Sequence, residues 1–392
     1  MKRVFSLLVL LAIVSASTVL WAAEDTAKGE VRPIRLADAL AWKSIRSTVV
    51  SNDGGWFAYR LIPVEGDSTV VVRQTHGDVS YSFPAGETTR GQIDFSDDGK
   101  WLAFSMHPTR EESRKAKSSK EKLENKVALV DLETGEKTVI DKMQRFEFSG
   151  RNPDWIALHR YPSGNAKNEQ ENPVGSDLVL RELETGREYN IGNVSEFAFD
   201  KYGRWLAWTI AAADKIGNGI QLRDLKRGTV AVLDSDTARY ERLTWTEEGD
   251  GLTVLKGTEH KEYEEPLYSL LGFKDLTSDQ LSKTEFIPAE DDSFPEGMTI
   301  SPKRDPLWTD DLRGILFGIH EAKKKKDSDG KRNGGSSTRE SDSGNDSSDD
   351  LPGLVIWHWK DKRLQARQQV QEQRDKNFSY LSIFRPDGQT YI

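Results

Sequence analysis

Phe95-Ser96-Asp97-Asp98-Gly99-Lys100-Trp101-Leu102-Ala103-Phe104 reads as two short apolar strands joined by a polar turn. Gly accepts the positive φ of a tight hairpin, and aspartates hydrogen-bond their own backbone through such a bend. The aromatic and aliphatic residues on either side suit a pleated, half-buried surface. The pattern recurs. Ser51-Asn52-Asp53-Gly54-Gly55-Trp56-Phe57-Ala58-Tyr59 is an earlier copy, and Phe199-Asp200-Lys201-Tyr202-Gly203-Arg204-Trp205-Leu206-Ala207-Trp208 a later one. Phe148-Ser149-Gly150, leading to Trp155-Ile156-Ala157-Leu158, has one extra residue, and in residues 245–254 the tryptophan moves to the first strand.

Trp56, Trp101, Trp155 and Trp205 follow one another at 45, 54 and 50 residues. A period of that length with strands inside it is the mark of a β-propeller with four-stranded blades. The later half of each repeat supplies the second hairpin. Residues 126–132 turn through Glu133-Thr134-Gly135-Glu136, residues 177–182 through Leu183-Glu184-Thr185-Gly186, and residues 220–225 through Lys226-Arg227-Gly228. Blades are expected near 50–84, 93–140, 146–191, 195–234 and 242–273, with a sixth opening near Met298. The fold class is all-β: about seven blades, the last incomplete.

The long insertions share one address, between the second and third strands of a blade: Pro108 to Asn125, Tyr161 to Ser176, Ala211 to Gly219 and His320 to Pro352. Topology then puts them on one side of the disc, opposite the Asp-Gly turns. The largest, Lys323 to Asp350, has no aromatic, aliphatic or Pro residue and carries seven basic and seven acidic residues. It cannot bury enough apolar surface to offset the entropy of ordering, so disorder is expected over 322–351. Lys362 to Lys376, free of Gly and Pro, reads as one short helix.

Lys2 and Arg3 precede an apolar stretch, Val4 to Trp21, that ends at Ala22-Ala23. This is the pattern of a secretory signal peptide over residues 1–23, with the propeller occupying 24–392 and a periplasmic or secreted destination expected. An uncleaved anchor is the rival reading, because a clean Ala-x-Ala is missing. Without Cys there is no lipoprotein site, disulfide or thiolate metal site. The net charge of −9 argues against a nucleic-acid partner. No second apolar run reaches membrane-spanning length.

Catalytic motifs are missing: there is no Gly-x-Ser-x-Gly, His-Glu-x-x-His, EF-hand loop or P-loop. The six histidines stand singly without metal-ligand spacing and read as structural, so neither metal nor cofactor is expected. The central channel of a propeller can hold acid–base pairs. The doublets Glu111-Glu112, Glu247-Glu248, Glu264-Glu265 and Asp291-Asp292 are adjacent in sequence, however, and neighbours on a strand face opposite ways. They read as solvated surface.

The Ser/Asp-Asp-Gly-x-Trp-Leu-Ala repeats behind a signal segment resemble those of exported propellers, both TolB-type proteins and prolyl oligopeptidase family peptidases. Val355-Ile356-Trp357-His358-Trp359-Lys360-Asp361, with Leu364-Gln365, Gln369 and Tyr380-Leu381, favours the second. It is similar to the propeller region of exported bacterial prolyl oligopeptidase family serine peptidases. The resemblance spans roughly residues 35–392 and covers only the non-catalytic part of such enzymes. It implies a downstream α/β-hydrolase domain carrying the triad, with the ring admitting peptide substrates to it, and no catalytic residue in this chain. Some relatives hold the substrate's amino terminus with a propeller-borne Glu pair. Glu264-Glu265 after Tyr263 is the doublet that the resemblance offers for substrate binding. The last strand, after Arg385-Pro386-Asp387-Gly388, is short, which is expected of a chain that continues. A free-standing TolB-type propeller that binds protein partners is the alternative. A propeller glycosidase or lyase is a third, and it requires carboxylates converging in the channel.

Overall fold

The Ser96 turn closes as its residues dictate. Ser96 Oγ donates to Asp98 Oδ1 at 2.7 Å and accepts the Trp101 N–H at 2.9 Å, while Gly99 takes φ +68°. The side chains thereby satisfy the backbone of the bend. Ser51, Asp53 and Gly54 repeat the arrangement, and in Asp200 a carboxylate replaces the hydroxyl and accepts the Trp205 N–H at 2.7 Å. Thr309-Asp310-Asp311-Leu312-Arg313-Gly314 is a further copy that the sequence pattern hides. Thr309 Oγ1 donates to Asp311 Oδ1 at 2.6 Å and accepts the Gly314 N–H at 3.1 Å, but Leu312 stands in the left-handed position at φ 52°.

The computed structural model describes residues 33–119, 122–162, 174–276, 281–325 and 358–386. The signal segment expected over 1–23, residues 326–351 of the expected disordered insertion, Trp357 and the final residues 387–392 lie outside them. The described strands form six blades. Blade one holds β1 (Lys43–Val50), β2 (Trp56–Pro63), β3 (Ser68–Gln74) and β4 (Ser80–Gly86). Blade two holds β5 (Ile93–Phe95), β6 (Trp101–Met106), β7 (Lys126–Asp131) and β8 (Lys137–Ile140). In blade three come β9 (Met143–Phe148), β10 (Trp155–Arg160), β11 (Ser176–Glu182) and the first part of β12 (Glu188–Phe199). Val194 pairs with both neighbours, and beyond it the strand pairs with β13 (Trp205–Ile210), opening blade four, which continues into β14 (Gly219–Asp224) and β15 (Val230–Ser235). Blade five is β16 (Arg239–Trp245), β17 (Gly251–Thr258), β18 (Leu267–Lys274) and β19 (Ser282–Phe286).

Blade six differs. β20 (Met298–Ile300) and β21 (Leu307–Trp308) pair with opposite ends of one side of β22 (Ile315–Glu321), so they are two halves of a broken first strand. β23 (Tyr380–Phe384) lies on the other side of β22. Among the described residues no strand belongs to a seventh blade.

Strand alternation sends neighbouring side chains to different cores. Leu102 packs between blades one and two, Ala103 between blades two and three. Five such apolar layers lie between the six sheets, each built from two consecutive blades. The repeat tryptophans contribute to them: Trp155 and Trp205 are buried, Trp56 and Trp101 pack partly buried. Each fully buried Leu or Phe in such a layer is worth roughly 1.5–3 kcal/mol relative to exposure.

Among the described residues three α-helices stand where the sequence reading expected one. α1 (Leu36–Ala41) precedes blade one, and α2 (Arg110–Ser119) lies in the insertion between β6 and β7. Glu112 explains α2: its carboxylate accepts the Thr109 N–H at 2.7 Å, and Thr109 Oγ1 accepts the Glu112 N–H at 3.2 Å. That reciprocal cap starts a helix in a stretch read only as an insertion. α3 (Gln365–Lys376) is the helix expected over 362–376, and it buries no residue. None of the helices among the described residues is long and apolar enough to cross a membrane.

Candidate functional site

The first strand of each blade touches the first strand of the next. Gln92 Nε2 donates to the Phe146 carbonyl at 2.9 Å, and Arg145 Nη2 to the Phe197 carbonyl at 3.4 Å. Glu196 accepts the Leu243 N–H at 3.1 Å, Trp245 Nε1 donates to the Ala198 carbonyl at 3.1 Å, and Arg242 pairs with Asp305 at 3.2 Å. These strands therefore form the inner wall of the ring.

Alternation decides what that wall presents. Phe146 and Phe148 turn into the blade interface, so Arg145 and Glu147, which alternate with them, face inward. Asp94 stands between Ile93 and Phe95 in the same way. Asp94 and Glu147 each sit two residues before the serine of their turn, Ser96 and Ser149, and thus hold the same place in two successive blades. Gln92, Arg145, Glu196 and Arg242 form a second level, two residues earlier. The wall is a belt of mixed charge, acidic on the level of Asp94 and Glu147.

Asp94 touches solvent and Glu147 is half-buried, yet burial is the largest influence on both carboxyls. Groups that meet water from within a ring behave this way, since the surrounding protein weakens their hydration. Burial raises Glu147 to about 7, with Asp94 adding to the rise, while Arg145 and the Phe199 N–H oppose it. Burial also raises Glu196, and it lowers Arg145 against the pull of Glu147 and Glu196. The guanidinium of Arg145 stacks on the ring of Phe197, 4.1 Å from its centroid.

The sequence doublets lie elsewhere. Glu111 and Glu112 open α2, and Glu247 and Glu248 bind Lys201 and Tyr202 in the neighbouring blade's turn, each at 2.8 Å. Glu264 and Glu265 occupy the loop between β17 and β18, on the face that carries the insertions. Glu264 is exposed, and Glu265 lies 3.7 Å from His320 Nε2. Doublet adjacency was the wrong signal for the inner wall. Its carboxylates come from different blades at one phase of the repeat, which aligning the copies on Ser96 and Ser149 would have found.

The described parts of the insertions all leave the blades between second and third strands, and they tie blade to blade. Arg110 at the start of α2 pairs with Glu65 of blade one at 3.2 Å, and Lys215 of blade four pairs with Glu259 of blade five at 2.7 Å. Beneath them the second strands carry buried polar residues at one position: Arg60, Ser105, His159 and Thr209. Arg60 is 0% exposed and donates to Ser68 Oγ at 3.1 Å and to the Ser105 carbonyl of blade two at 2.9 Å. His159 Nε2 lies 2.9 Å from both the Val194 carbonyl and Ser176 Oγ. No group of three or more His, Asp or Glu side chains among the described residues is placed to hold a metal ion.

No model of a known protein family matches the chain, and no curated protein matches it. Solved structures to which it is similar include one from a study of two prolyl endopeptidases, at 13% identity and TM-score 0.40, covering 71% of this chain and 40% of that one. The β-propeller domain of the Trilobed protease from Pyrococcus furiosus follows at 12% identity and TM-score 0.37, over 71% of this chain and 78% of that one. TolB from Acinetobacter baumannii is similar at 12% identity and TM-score 0.30, over 62% and 56%. The chain spans well under half the length of the prolyl endopeptidase. Likenesses of this order transfer no residue role.

Proposed function

We propose that this chain is the non-catalytic propeller portion of an exported serine peptidase of the prolyl oligopeptidase type, and that its ring controls which peptides reach a hydrolase domain. The observation that carries the reading is the charged inner wall. Asp94, Arg145, Glu147, Glu196 and Arg242 line it where a ring serving only as scaffold could be filled by apolar side chains. An extended peptide presents amides and charged side chains that such a wall can hydrate and hold.

A second reading, a free-standing propeller that binds protein partners, has one observation in its favour. Trp42, Ile45 and Val50 before and within β1, and Phe378, Tyr380 and Leu381 around β23, are exposed large apolar residues of the kind that protein contacts cover.

The experiment is the intact mass of the native protein, together with an assay of purified residues 24–392. The peptidase reading expects a product larger by one hydrolase domain containing Gly-x-Ser-x-Gly, and no Ser-dependent hydrolysis by the propeller alone. A native product that ends with the propeller would overturn it in favour of the binding module.

A further inference from the structure

The loop of blade five between β17 and β18 carries Glu259, Glu262, Glu264 and Glu265. Blade six lays the extended segment Ala322 to Lys325 along it, although this stretch was expected to belong to the disordered insertion. Tyr263 and Lys324 are antiparallel bridge partners. The Glu264 N–H donates to the Lys323 carbonyl at 2.9 Å, and the Lys325 N–H to the Glu262 carbonyl at 2.8 Å. On its other side the segment is held by the Ala322 N–H on the Gly297 carbonyl at 2.9 Å.

This register sets Glu264 opposite Lys323 and Glu262 opposite Lys325. Unlike charges directly across an antiparallel pair attract each other. Lys325 also adds to the effect of Lys215 in holding the Glu259 carboxyl low. All three lysines are exposed. The segment is thus seated by backbone hydrogen bonds, with unlike charges set across the pairing and its three lysine side chains exposed. Contacts of that kind are weak, salt-sensitive and indifferent to the exact sequence that makes them.

We infer that the 259–265 loop is a docking edge for extended, lysine- or arginine-rich peptide segments, with Lys323 to Lys325 as its resident occupant within the chain. The mode is strand addition: the Glu262 carbonyl and Glu264 N–H supply the rungs, and the glutamates select positive charge. Being tethered, the resident competes at high effective concentration, so an incoming peptide must displace it. The inference rests on the reading that peptides approach the ring, and it places their first contact on the insertion face.

The test uses the full chain and a fluorescein-labelled decapeptide of alternating Lys and Thr, followed by fluorescence anisotropy at low salt. The variant K323S/K324S/K325S is expected to bind it at least tenfold tighter than the wild type. Adding E262K/E264K is expected to cancel that gain. Equal affinity of the wild type and the triple variant, or binding that survives the glutamate reversal, overturns the inference. Hydrogen exchange on the wild type gives a second measure that needs no variant. With saturating peptide the Lys325 amide should lose protection while the Glu264 amide keeps it, and unchanged protection at Lys325 refutes displacement. Neither readout involves hydrolysis, so a native protein without a hydrolase domain would overturn the peptidase reading and leave this result standing or falling by itself.

Discussion

Asp94 and Glu147 hold the same place on the first strands of successive blades, and the charge of Asp94 works with burial to raise the Glu147 carboxyl, against Arg145 and the Phe199 N–H. The inner wall therefore has a titration of its own near neutrality.

Glu147 has a folded pKa of about 7, above its unfolded value of 4.5. The folded state then binds more protons than the unfolded one between those limits, so this residue's contribution is fully present below pH 4.5 and is lost as pH rises through 7. Urea midpoints should fall between pH 5 and pH 8 by the equivalent of roughly 2 kcal/mol. In E147Q that part of the slope should vanish. Parallel pH profiles for the two proteins would show that Glu147 is ordinary.

Arg60 is the stability prediction with the largest effect. R60A leaves the Ser105 and Ala85 carbonyls and Ser68 Oγ short of a donor and opens a cavity between blades one and two. A loss of about 3–4 kcal/mol is expected in chemical unfolding. H159A, at the equivalent place in blade three, should cost about 2 kcal/mol for the Val194 carbonyl and Ser176 Oγ. Losses below about 0.5 kcal/mol in both would show that the buried hydrogen bonds at this position contribute little to stability.

Two glycines separate backbone strain from collision. Gly54 has φ +71° with nothing within 4 Å of an added Cβ, whereas Gly203 has φ +68° with the Ser149 carbonyl oxygen 2.1 Å from one. G54A should cost only the left-handed penalty, about 1 kcal/mol. G203A must in addition push blades three and four apart, and should cost at least twice as much in thermal or urea unfolding. Equal costs would mean that the inter-blade contact at Gly203 yields freely.

The propeller was legible because its turns are local chemistry. Ser96, Asp98 and Gly99 close a hairpin with bonds among neighbours in sequence, and each copy repeats that solution. Blade six does open at Met298, as expected, but the turn at Thr309 escaped because Leu312 occupies the position where a glycine is diagnostic. α2 escaped because its cap, Thr109 with Glu112, sits in a charged stretch with little apolar periodicity. The inner wall was harder still. Asp94 and Glu147 are unremarkable among 64 acidic residues, and what sets them apart is a shared phase visible only once the strands are known. The pairing of Lys324 with Tyr263 has no local signal at all, because both partners lie in polar loops of different blades.

The placement of the apolar layers has a practical corollary. Leu102 and Ala103 belong to one strand but serve different seams, so a blade is a covalent unit without being a self-sufficient one. Any cut or graft made at a blade boundary splits a seam and leaves two wet hydrophobic faces behind. Exchange of segments between related rings should succeed when the junction runs through a sheet, so that the seam on either side travels intact with its donor.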